Sequence, residues 1–398
     1  MKKSYKIIIG LILIILISFC VSIFPKNSTK VLAVESAETD ITNEVDKTLE
    51  DIDFSGFDEI IKNMTNQDKS IFSNGSFLEK VKDLISGKTS INFSSIASAF
   101  FSILSNEILA IIPLLCTIIA LGVLSSITNQ ANFSKDKTVA EIVHFVCYAV
   151  IIMVVFNAVT GLVKVTYSTL NSLKGQMEIG FPILLTLLTS VGSVVSVSVY
   201  QPLVAILSGS LMTIFVNFIM PLFVFCLVFT VVGNLSSNVK LNKFSGLFQS
   251  IFKWTIGLVF TLFSAFLTIQ GITAGSYDGL SIRTTKYAMK SYIPFVGGYL
   301  ADGLNLILTS SVLVKNAVGM AGLFLLFSTI ISPILKILLL KLVLSLSAGI
   351  LEPICDKRIV DFLSGISKCL SMLIATICVA GFAYLITIGL IMCTSNVF

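Results

Sequence analysis

The sequence predicts an all-α polytopic integral membrane protein, and three observations carry that prediction. Hydrophobic residues make up 55% of the 398 and charged residues only 12%, about half the charged share usual in soluble domains. Mean hydropathy is +0.96. The apolar residues are gathered into runs near the ~20 residues that cross a bilayer as a helix, and these runs lack the alternation of barrel strands. Lipid offers no partner to an unpaired backbone group, so such runs must be helices.

The chain opens with Lys2, Lys3 and Lys6 before an apolar run over 7–24, which Pro25 ends. Val31, Leu32 and Ala33 follow as an A-x-A-like site, so residues 1–33 are expected to be a signal peptide cleaved after Ala33. An uncleaved anchor is the alternative, because the run is close to spanning length. Residues 34–105 read as an acidic extracytoplasmic helical segment. Between 34 and 88 thirteen carboxylates stand against six lysines. Its apolar residues Leu49, Ile52, Phe54, Phe57, Ile60 and Ile61 suit short amphipathic helices that bury little core alone, so the segment should dock on the membrane part or on a partner.

Residues 106–398 form the multi-pass domain. Apolar runs near 108–127, 139–163, 181–199, 203–233, 254–277, 293–314, 317–335, 337–354 and 370–394 predict seven or eight transmembrane helices, some broken or re-entrant. Tyr200, Gln201 and Pro202 interrupt the stretch from 181 to 233, where half-helices would fit. Orientation stays open on charge alone. Lys240, Lys243 and Lys253 on one side of a run, and Arg283, Lys286 and Lys290 on the other, make both flanks basic.

Several chemistries lack their residues. KDLISGKT, residues 82–89, ends like a phosphate-binding loop, but Lys82 stands where the first glycine is required. Glu141 and His144 have the spacing of a di-metal helix pair, yet His144 is the one histidine in the chain. No G-x-S-x-G or C-x-x-C occurs among the residues, and the eight cysteines lie mostly in apolar runs. With no basic patch on a soluble module, nucleic acid is not an expected partner. No catalytic residue, metal ligand or cofactor site is therefore expected.

Two features remain. Gly271, Gly275 and Gly279 make two overlapping G-x-x-x-G steps, which serve close helix packing or simply soften a helix end. The stretch IPFVGGYLADGLNLIL at 293–308 carries residues that lipid penalises. Beyond Pro294, Gly298, Asp302, Asn305, Thr309, Val312 and Asn316 recur at steps of four and three and so share one helix face. Leu300, Leu304, Ile307 and Leu308 take the opposite side. Pro294, Gly297 and Gly298 loosen the entry, as in broken helices that line cavities. The stripe Gly298, Asp302, Asn305, Thr309, Asn316 lines a path or acts as a polar seam between helices; both readings stand. Lys315 is a candidate charge partner for it, or an interfacial anchor like Lys336 and Lys341.

YIPFVGGYLADGLNLILTSSVLVKNAVGMAG, read with the preceding IQGITAGSYDGLSIRTTKYAMK, resembles the most characteristic region of the stage III sporulation protein AE family. YQPLVAILSGS near 200 and LEPICDKRIVDFLSGISKCL near the C-terminus resemble two further blocks in the family's order. The resemblance implies a multi-pass protein of the mother-cell membrane facing the forespore. It implies work with the other stage III AA to AH proteins and forespore protein Q, in a secretion-like channel complex that sustains late forespore gene expression. It assigns no catalytic residues or cofactor. A homo-oligomer is also open. The competing expectations are an autonomous secondary transporter and a structural scaffold of the same complex.

Overall fold

A computed structural model describes residues 35–64, 69, 72, 75–87, 93–130, 137–235, 242–292 and 297–394. All regular structure among them is helical. Three short helices, α1 (Glu35–Glu50), α2 (Ser55–Asn63) and α3 (Phe77–Ile85), precede the long ones. These are α4 (Phe93–Gln130), α5 (Lys137–Ser190), α6 (Val194–Ala205), α7 (Met220–Leu235), α8 (Asn242–Tyr292), α9 (Gly297–Leu351) and α10 (Lys357–Cys393). The expected domain boundary at 105 falls inside α4, which is continuous from Phe93. Cleavage after Ala33 lies outside the described residues.

Six helical stretches among the described residues are long and apolar enough to cross a bilayer. The nine apolar runs condense onto six because neighbouring runs continue through one helix. At 1.5 Å per residue, the 55 residues of α9 extend about 80 Å, nearly twice the ~40–45 Å of a whole bilayer. The stretch expected to hold half-helices is built differently. α5 runs to Ser190 and ends on Gly192, whose φ of 82° only glycine adopts freely. Ser193 N–H donates to Leu188 O and Gly192 N–H to Thr189 O, which closes the helix end. The chain then returns through α6, with Pro202 inside the helix and not at a break. Two π-helical segments, Ile206–Leu211 and Phe215–Ile219, follow it and widen the turn where the ladder is disturbed.

α10 is the central helix, buried along most of its length. It packs antiparallel to α9: Ser367 Oγ donates to Lys341 O at 3.1 Å, and a Cβ on Gly319 would lie 2.6 Å from Met392. α4 lies parallel to α9, with Glu107 3.4 Å from Lys336 and Gly122 against Leu351. α5 runs back along both, bonded through Gln176 Nε2 to Thr329 Oγ1 at 2.7 Å. α7 and α8 join through Phe229 stacked between Phe244 and Phe248. The adjoining ends of α4 and α5, of α7 and α8, and of α9 and α10 thus lie at one end of the bundle, and the α5–α6 turn and the end of α10 lie at the other.

The acidic segment docks on this bundle, as its sparse apolar content required. Phe77 is fully buried, stacked on Phe57 at 4.1 Å between ring centroids and flanked by Phe54 and Phe72. Ser76 and Glu79 form a capping box at the start of α3. Asp58 accepts from Phe77 N–H at 2.9 Å and ties α2 to α3. Gly56, Gly175 and Gly180 let α2 approach α5 through Ile179, Ile60 and Phe57. Lys80 sits 5.3 Å above the Phe324 ring of α9, and its burial holds its pKa below the usual lysine range.

Candidate functional site

The candidate stripe occupies the first third of α9. Gly297 is its first residue, and Pro294 lies outside the described residues. Ala301, Leu308, Ser311, Lys315 and Val318 form the buried edge. Because that edge points inward, the stripe points outward: Gly298, Asp302 and Thr309 are exposed, and Asn305, Val312 and Asn316 are half-buried. A Cβ on Gly298 would meet open space. Leu300 and Ile307 are also exposed, Leu304 is half-buried and Leu308 is buried. Asp302 makes no ion pair among the described residues. The face offers one negative charge and a row of hydrogen-bonding groups to whatever lies beside it.

Lys315 is not a partner of Asp302, which is 13 residues away on the same helix, about 20 Å along the axis. Its side chain is fully buried and turns to α10, where Nζ donates to Met392 O at 3.1 Å and to Thr394 O. A cation at the carbonyl end of a helix satisfies groups that the ladder leaves open and opposes the dipole. Lys315 is therefore a latch between α9 and the end of α10. Lys336 is held by Glu107, and the Lys341 backbone by Ser367. Gly271, Gly275 and Gly279 all lie within α8; their packing is outside the described side chains.

Two clusters had no motif in the sequence. Ser125 Oγ lies 2.6 Å from His144 Nδ1, and Asp356 Oδ2 lies 3.4 Å from Nε2. The three are the residue types of a charge-relay triad, but the backbone N–H groups around Ser125 belong to the ladder of α4 and form no oxyanion hole. The arrangement clamps α4, α5 and the α9–α10 turn; Asp356 also caps α10 by accepting from Arg358 N–H. In the same turn, burial and Asp356 push the Cys355 thiol above its usual pKa. The second cluster brings Cys226 and Cys369 to 3.3 Å between sulfurs, beside Thr230, Ser245 and Gln249. No group of three or more metal-ligating side chains occurs among the described residues.

The sequence profile of the stage III sporulation protein AE family matches residues 76–395. This chain belongs to the stage III sporulation protein AE family. Its family match starts at α3 and takes in the stripe, the Lys315 latch and both clusters. A stage III sporulation protein AE from Bacillus subtilis (strain 168) is 26% identical over 315 residues, covering 79% of each chain. No solved structure matches. Family membership gives this protein a role in sporulation, and the six long apolar helices among its described residues make it a multi-pass membrane component.

Proposed function

We propose that this stage III sporulation AE protein is a membrane component of a secretion-like channel complex joining mother cell and forespore. It sits in the mother-cell membrane that faces the forespore and supports late forespore gene expression. Its partners are the other stage III AA to AH proteins and forespore protein Q. The observation that carries the reading is the outward polar stripe of α9. α10 ends at the level of Lys315, whose Nζ meets Thr394 O, so Thr309, Asn305 and Asp302 stand about 9–20 Å beyond that end on a protruding stretch of α9, an outward polar face suited to protein or water.

We orient the protein from charge taken together with the helix ends that lie side by side. The bundle end where α4 meets α5, α7 meets α8 and α9 meets α10 carries Lys137, Lys243, Lys357 and Arg358 among the described residues, so we place it in the cytoplasm. The acidic segment and the end of α10 then face the intercellular space. Arg283, Lys286 and Lys290 lie 15, 18 and 22 residues beyond the span at Lys243–Thr268, at the far edge of the range over which the bias acts, and they are outnumbered by the basic residues of the other end.

The test is Asp302→Leu beside Asp302→Asn in sporulating cells. The leucine variant is expected to insert normally and to lose heat-resistant spores by tenfold or more, roughly the effect of one 1.4 kcal/mol contact. The asparagine variant should keep most of the activity. Wild-type spore yield from Asp302→Leu removes the proposal.

A further inference from the structure

α10 carries a second polar face, nearer the cytoplasmic end of the bundle. Asp361 and Lys368 are exposed and Ser364 between them is half-buried, at steps of three and four, while Phe362, Leu363, Ile366, Cys369 and Leu370 are buried. Asp361 and Lys368 lie about 10 Å apart along the helix. Neither makes an ion pair among the described residues.

The neighbours fix the depth of this face. Gly365 abuts Thr230 of α7, and around Thr230 the exposed side chains of α7 are Phe225, Val228 and Val232. Ser367 bonds Lys341 O of α9, and around Lys341 the exposed side chains are Leu338, Leu342, Ser345 and Leu346, three of them large and apolar. Both flanks at this level therefore present large apolar side chains outward, as a lipid-facing surface does. Between them runs a strip that lipid penalises.

We propose that this seam is the docking site for a transmembrane helix of a different polypeptide, one with a carboxylate at the depth of Lys368. Charge selects the occupant. A second copy docking the same face about an axis along the membrane normal would set Lys368 against Lys368 and Asp361 against Asp361. The apolar run at 7–24 of this chain has no carboxylate. Glu107, the acid of this chain near that level, is already held by Lys336. The partner helix carries Asp or Glu opposite Lys368, a donor such as Lys, Arg or a hydroxyl two turns away opposite Asp361, and small residues where it crosses Ser364 and Gly365. The inference rests on the reading that the protein works within a multi-protein membrane complex.

The experiment places the photo-cross-linker p-benzoylphenylalanine at Ser364 in the full chain, as the sole copy in sporulating cells, with a second strain carrying it at Asn305. Irradiation at 364 is expected to capture a transmembrane peptide of another protein, identified by mass spectrometry, with Asp or Glu within one turn of the contact. Lys368→Leu should reduce that adduct roughly a hundredfold, the effect of stranding a carboxylate in lipid, and Lys368→Arg should keep it within about threefold. Adducts with lipid alone, with a second copy of this chain, or with a peptide lacking a carboxylate overturn the proposal, as does an adduct that Lys368→Leu leaves intact. Should the leucine variant not insert, the identity of the peptide captured at 364 decides. Capture at 305 without capture at 364 rejects the seam and leaves the complex standing; silence at both positions rejects the two together.

Discussion

Replacing Phe77 with Ala should release the acidic segment from the bundle without unfolding the bundle itself. The ring is fully buried, stacked on Phe57 at 4.1 Å and tilted against Phe54 at 5.6 Å. Removing such a ring typically costs about 3–5 kcal/mol, from lost transfer energy and the cavity left behind. Among its described residues the buried apolar side chains are Val45, Leu49, Phe54, Phe57, Phe72, Phe77 and Val81, and Phe77 touches the three other rings of the cluster. Three helices of 16, 9 and 9 residues are too short to persist undocked. A loss of about 3 kcal/mol shifts the docking equilibrium roughly 150-fold. Hydrogen exchange on the full chain in detergent micelles would read this as protection lost in α2 and α3 while α9 and α10 keep theirs. Phe77→Leu should recover most of the protection, since it refills part of the cavity. Unchanged exchange in α3, or an equal loss throughout α10, would show that the aromatic cluster is not what docks the segment.

Two further outcomes are expected. Gly192→Ala forces a Cβ into the left-handed region at a cost of about 1–2 kcal/mol and should lower the thermal midpoint by a few degrees. Gly161→Ala, mid-helix in open space, should not; equal effects from the two would refute the assigned turn. Alkylation of Cys355 should go on accelerating above about pH 9, where an ordinary thiol levels off, because burial and Asp356 both disfavour its thiolate. Asp356→Asn should bring the rise to lower pH, and a plateau near pH 8.5 in the unaltered protein would contradict that environment.

The polar stripe of α9 was legible in the sequence because its residues lie on one helix, where steps of three and four define a face regardless of neighbours. Asp361, Ser364 and Lys368 carry the same signal within one helix, but their face is masked by the basic cluster just before it. Lys315 was misleading for the opposite reason. Its partners, Met392 O and Thr394 O, are 77 and 79 residues away, and backbone carbonyls leave no mark in a sequence pattern. The same holds for His144 with Ser125 and Asp356, and for Cys226 with Cys369. Each pair or triad is assembled from helices whose mutual rotation depends on packing.

The sequence by itself determined that this protein is helical, embedded in a membrane and a sporulation AE family member. Composition and local periodicity suffice for the first two, because water and lipid sort side chains without reference to the fold. Tertiary structure alone decided which runs share one continuous helix and where the chain reverses. Gly192 makes the reversal and Pro202 does not. It also decided that Lys315 latches α10 and that Asp302 and Lys368 look outward. Direction around a helix is set by the neighbours that cover its other side, and those neighbours come from distant parts of the chain.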